Sequence, residues 1–298
     1  MSAVMQFLQN TLQPVVLIFT VSNLAAMGLQ VRMPQVVTAL KNRRAIALIF
    51  IWGWIVGPTY AYLITKALPL AEPFALVLLL ASLAPCAPIL QQVVGKARGD
   101  IGFAGAFIPV VTIGTVVLMP LLAPVLIKGL TISSMALAKP LILTILLPLV
   151  IGAAIRHYAD TAATKIFPAV KALAVLFTLA CIVWILILHG RGMINTAGQM
   201  ALLSMTLFMV GMVVITYRFS FGLKQDQRSV MAMGMGAQNG AAIMAAVFAM
   251  PSPDQRTVVM AVMWVLWSTI LAPFFAKIFA KLADKTPEEV QAAASPGT

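Results

Sequence analysis

The chain is a succession of apolar runs, mostly about 18 to 25 residues long, separated by short clusters of Lys and Arg. A run of that length crosses a hydrocarbon core of roughly 30 Å as a helix. Hydrocarbon offers backbone groups no water, so only helices and closed barrels span it. Nine such runs are placed at 12–29, 45–65, 74–95, 101–127, 141–155, 170–188, 200–217, 230–250 and 257–279. The composition agrees, being 61% apolar and 9% charged with a mean hydropathy of +1.01, whereas soluble domains are roughly half apolar and a quarter charged. The predicted fold class is therefore an all-α polytopic membrane protein with nine transmembrane helices.

The charged punctuation orients the chain. Of its 20 Lys and Arg, fifteen fall on one side: Arg32, Lys41, Arg43, Arg44, Lys96, Arg98, Arg156, Lys165, Lys171, Arg218, Lys224, Arg228, Lys277, Lys281 and Lys285. Lys66, Lys128, Lys139, Arg191 and Arg256 fall on the other. Cytoplasmic loops carry the excess of basic residues, so the N-terminus is expected outside and the C-terminus in the cytoplasm, in a bacterial inner membrane. An even number of runs would scramble this division. The first ten residues contain no Lys or Arg, so the first run lacks the basic flank of a signal peptide and is expected to be retained. A net charge of +12 spread between apolar runs matches an anionic lipid surface and forms no stripe for nucleic acid. Cys86 and Cys181 both lie in apolar runs and form no disulfide framework or metal motif. No nucleophile with a base, carboxylate pair or phosphate loop stands in the embedded sequence, so no enzyme is expected.

Two runs are broken by polar and helix-breaking residues. In the eighth, Met233-Gly-Met-Gly-Ala-Gln-Asn-Gly240 puts three glycines and two adjacent amides in an otherwise apolar stretch. In the third, Pro85-Cys-Ala-Pro-Ile-Leu-Gln-Gln92 combines two prolines with two adjacent amides. An unsatisfied polar group in hydrocarbon costs several kcal/mol, so such breaks survive only where they line a cavity or are buried in protein. Paired breaks in corresponding halves are the pattern of inverted-repeat transporters, whose ligand sits where the breaks meet. The third and eighth runs are five apart, and an odd repeat gives the halves opposite topology. Gln91, Gln92, Gln238 and Asn239 supply uncharged donors and acceptors for a small organic anion at helix N-termini. Pro88 and Gly236 shape the breaks, and Thr112 and Ser268 are further candidates for substrate binding. All eight carboxylates lie at run edges, in loops or in the tail, so none stands mid-membrane to bind a cation.

These residues carry a resemblance. Met27-Gly-Leu29 followed by Pro34-Gln-Val-Val37 and a basic loop, Pro58, Ala84-Pro-Cys86, Ala97-Arg-Gly-Asp100, Pro120-Leu-Leu-Ala-Pro124 and Gly236-Ala-Gln-Asn239 together resemble the bile acid:sodium symporter family over nearly the whole chain. The resemblance implies a panel domain formed by 11–31 and 138–190 and a core domain formed by 43–128 and 198–281, the two interrupted helices crossing in the core. Residues 282–298 are left as a disordered cytoplasmic tail. It implies a secondary transporter of small organic anions, bile-acid-like or other carboxylates, working by alternating access in the lipid bilayer, expected as a monomer. A sodium-independent facilitator or efflux carrier of the same fold is the alternative, and a non-transporting membrane sensor a further one.

The sequence departs from the family at the cation ligands. Gly234 stands where the family has a glutamate, Leu90-Gln91 where it has a Ser-Asn pair, Gly53 where it has a glutamine and Ile108 where it has a hydroxyl beside that of Thr112. No cofactor is expected. Sodium, which the resemblance implies, would be held at best by Gln91, Thr112 and Gln238 with freed main-chain carbonyls, so binding is expected to depend little on it.

Overall fold

The computed structural model describes residues 3–127, 132–197 and 200–283, and among them every element is helical. We number the helices α1 (Ala3–Gly28), α2 (Met33–Lys41), α3 (Arg43–Ala67), α4 (Glu72–Ser82), α5 (Leu90–Val93), α6 (Ile101–Leu126), α7 (Ser134–Tyr158), α8 (Asp160–Ala197), α9 (Ala201–Phe219), α10 (Gln225–Gly236), α11 (Gly240–Phe248) and α12 (Gln255–Ala283). Seven of them, α1, α3, α6, α7, α8, α9 and α12, are long and apolar enough to cross a membrane.

The remaining apolar sequence is where breaks were expected. The 74–95 run is divided into α4 and the single turn α5, and the 230–250 run into α10 and α11. Past the first break only the single turn α5 is helical, and the chain turns again through residues 94–98. Two further differences are local. Residues 33–41, read as part of a basic loop, form α2, which packs against α6. The helix before the tail reaches Ala283, and the rest of the segment read as disordered, with Lys285, lies outside the described residues, as does Lys128.

Two long helices carry a π-helical turn, Trp52–Val56 in α3 and Ile142–Leu146 in α7. Each ends two residues before a proline, with Gly57 N–H donating to the Trp52 carbonyl and Leu147 N–H to the Ile142 carbonyl. A proline ring clashes with the carbonyl four residues back and cannot bond it, and the wider turn relieves both problems.

Burial sorts the helices by role. The broken segments are innermost: Val77, Leu78, Leu80, Val230, Met231, Ala242 and Ile243 are fully buried. The long helices keep apolar side chains outward, and Leu173, Leu176, Leu186 and Ile187 of α8 are exposed, as suits a lipid-facing helix. The five described carboxylates stand at helix ends: Glu72, Asp160 and Asp226 in first turns, Asp100 capping α6 through Phe103 N–H (2.8 Å), and Asp254 before α12.

α1 packs along both α7 and α8. Its crossing with α7 brings backbones together at two glycines. A Cβ on Gly28 would stand 2.2 Å from the Leu149 carbonyl oxygen, and one on Gly152 would stand 2.6 Å from that of Ala25. Without a hydrophobic force between helices in lipid, such close approach supplies much of the attraction. Gly152→Ala should therefore cost about 1–3 kcal/mol, seen as a lower thermal midpoint in detergent. Gly190→Ala, where nothing lies within 4 Å of the new methyl, should leave the midpoint unchanged or raise it.

Candidate functional site

The two breaks meet. Pro85 and Gln238 form an isolated antiparallel bridge, and main-chain hydrogen bonds run between the segments on either side of it. Cys86 N–H donates to the Gly234 carbonyl at 2.8 Å, Ala87 N–H to the Ala237 carbonyl at 2.8 Å, and Asn239 N–H to the Ala84 carbonyl at 2.7 Å. Each break thereby satisfies groups that the other leaves without an intrahelical partner, which is how irregular backbone persists away from water. Cys86 takes a left-handed conformation, φ 71°, a strain of order 1–3 kcal/mol for a residue other than glycine, and its bond to Gly234 holds it there.

Side chains lock this crossing from within. Asn239 is buried and caps α11, its Oδ1 accepting from Ala241 N–H (3.1 Å) and Ala242 N–H (3.3 Å). Gln238 is buried, its Nε2 donating to the Met235 carbonyl (2.8 Å) and its Oε1 accepting from Trp264 Nε1 (3.2 Å). Trp54 Nε1 donates to the Leu83 carbonyl at 3.2 Å, tying α3 to the first break. The crossing itself carries amides and main-chain groups and no ionised side chain.

Against the crossing lies a cavity of about 450 Å³, within the 300–1,000 Å³ usual for small-molecule sites. One wall is largely helical: Phe19, Asn23 and Ala26 of α1, Gln30 in the turn that follows it, and Lys171, Ala174, Val175, Thr178 and Leu179 of α8 line it, the residues of each helix falling on one face at three- and four-residue spacing. The opposite wall comes from the breaks and α12. It includes Pro88, Gln91, Gln92, Gln238 and Ser268, five of the eight residues expected to bind substrate. Gln30 Nε2 donates to Gln91 Oε1 at 3.3 Å, joining the walls. Ser268 is buried, and its Oγ has no hydrogen-bond partner among the described residues.

The other three candidates lie away from the cavity lining. Thr112 is buried and donates to the carbonyl of Ile108 in its own helix (2.8 Å). Gly236 lets α9 approach, since a Cβ there would meet Val213 at 2.2 Å. Asn239 commits its carbonyl oxygen to α11. Lys96 and Lys171 also line the cavity, and sequence reasoning counted both only as topology signals. Asn23 and Thr178, hydrogen-bonded to each other across the helical wall at 3.2 Å, were legible as polar residues inside apolar runs. Asn239→Ala should lose the cap at about 0.5–2 kcal/mol. A thermal midpoint lowered in Asn239→Ala and largely restored in Asn239→Asp would identify capping as the side chain's main role.

The family model for the sodium bile acid symporter family matches residues 15–196, more than half of the chain. Two similar relatives carry the description "Probable sodium/metabolite cotransporter BASS3, chloroplastic". The protein of Oryza sativa subsp. japonica is 22% identical over 196 residues, 65% of this chain and 46% of that protein. The protein of Arabidopsis thaliana is 21% identical over 261 residues, 85% of this chain and 61% of that protein. The chain thus spans roughly half to three fifths of the length of these relatives. With a family match over more than half its length and the apolar helices to span a bilayer, the chain belongs to the sodium bile acid symporter family.

Proposed function

We propose that the protein is a secondary carrier of small organic anions that works by alternating access. The observation that carries this reading is the cavity between the α1–α8 wall and the crossed breaks. In this reading α1, α7 and α8 form the panel, and the remaining helices form the core. Each broken pair makes one passage, giving nine with the seven long helices, and the two five-passage-spaced breaks mark inverted repeats. The close packing of α1 on α7 and α8 and the bonding of the breaks to each other support rigid halves that rock about the cavity. The N-terminus lies outside, the C-terminus in the cytoplasm of a bacterial cell, and a monomer suffices. Cysteines replacing Gln30 and Gln91, whose side chains bond across the cavity, test the motion. In proteoliposomes, oxidation of the pair should abolish flux of a labelled organic anion and a reductant should restore it. Undiminished flux with the disulfide formed would sink the rocking mechanism.

Sodium fits this core poorly. A Cβ at Gly234 would stand 2.3 Å from the Phe107 ring and 3.2 Å from Leu90, so the space beside it is filled by hydrocarbon. Thr112 donates only its hydrogen to Ile108 and keeps its oxygen lone pairs, but the Gln238 oxygen already accepts from Trp264. Sodium asks for several oxygens together, and the residues here present apolar surface instead. The carrier then acts as a facilitator or exporter whose substrate affinity differs less than about twofold between sodium and potassium at equal ionic strength. A tenfold gain specific to sodium, about 1.4 kcal/mol of coupling, would overturn this part of the reading.

A further inference from the structure

Among the described residues Lys96 and Lys171 are the ionised side chains that line the cavity, and no Asp or Glu lines it. Both lysines are exposed, whereas Gln238 and Ser268 are buried, so the lysines mark its open end and Ser268 its inner end. Among the described residues neither lysine forms an ion pair. The Lys171 amine stands 5.8 Å from the centroid of the Phe167 ring. Its position is not that of a lipid-facing topology charge, because it falls on the same face of α8 as Ala174, Thr178 and the other cavity-lining residues. Lys165, six residues earlier, falls on another face and does not line the cavity.

Resting on the carrier reading above, we propose that Lys96 and Lys171 anchor the acidic group of the substrate at the open end of the cavity. The substrate is a compact anion whose uncharged body extends inward along Phe19 and Leu179 and ends in a polar group bonded by Ser268. Two ammonium groups lining one cavity without a counter-charge repel each other, and an anion between them removes that repulsion. The unpartnered Ser268 hydroxyl is a second, independent sign of a ligand, since a buried polar atom without a partner is costly. The walls between them, with Phe19, Val175 and Leu179 beside Asn23 and Thr178 on the α1–α8 side and Gln91, Gln92 and Gln238 on the other, suit a molecule with a charged end, an apolar flank and one further polar group.

The experiment uses the purified full chain in uncharged detergent, titrated with benzoate, phenylacetate, glutarate and the neutral amide of each, read by calorimetry and thermal shift. At least one anion should bind while its amide does not. Lys96→Gln and Lys171→Gln should each weaken that binding about tenfold, and the arginine variants should recover most of it. Lys165→Gln should match the wild type, and added salt should weaken binding through the lysines. Wild-type affinity in both glutamine variants would overturn the anchor while leaving the carrier reading intact. Failure of every anion to bind the wild type would bring down both. An anionic lipid headgroup offers the same chemistry, so phosphatidylglycerol retention is compared by native mass spectrometry. Loss of lipid alone in the glutamine variants, with the soluble anions unaffected, would overturn the substrate assignment.

Discussion

The structure depends on a short set of main-chain hydrogen bonds between two broken segments. Ala84, Cys86 and Ala87 exchange bonds with Gly234, Ala237 and Asn239, and everything that surrounds them serves to keep water and lipid away. An unpaired backbone group in such surroundings costs several kcal/mol, so neither break is tolerable without the other. That mutual dependence explains why α4, α10 and α11 are the most deeply buried helices, and why the long helices, whose backbones satisfy themselves, can face outward.

Close packing around the crossing is set by residues that lack side chains. Gly234 admits the Phe107 ring, Gly236 admits Val213, and Gly114 lies against Trp54. Aromatic rings therefore fill the space beside Gly234 and Gly114. Trp264 performs a related task by occupying the Gln238 oxygen. The result is a core that is polar only along its main chain and at a few amides, and apolar beside them.

Much of this was legible in the sequence because hydrocarbon leaves so few choices. Apolar length placed the seven long helices, and the prolines, glycines and adjacent amides marked both breaks, since those residue types are costly inside a membrane helix unless they have a use. What escaped was whatever depends on neighbours distant in sequence. Pro58 and Pro148 were visible, but the π turns before them depend on how each helix resolves its clash. The amides of Gln238 and Asn239 were visible too, yet only the fold decides that one caps a helix and the other meets Trp264. Lys96 and Lys171 could not be told from topology charges, because a basic residue at a run's edge carries no mark of the cavity beside it. Thr112 was visible as a hydroxyl inside an apolar run, but only the fold sets it on α6 away from the cavity lining.

The uncharged crossing has an energetic consequence for the proposed carrier. If no cation travels with the substrate, every turnover moves the substrate's own negative charge through the membrane potential. One elementary charge across 100 mV is worth about 2.3 kcal/mol, close to a fiftyfold concentration ratio. An interior held negative pushes anions outward, so a pathway of this kind would expel its substrate without any ion gradient. Import would require an outside concentration high enough to overcome that bias. The voltage of the cell, acting on an anion that no cation accompanies, would then set the direction of transport.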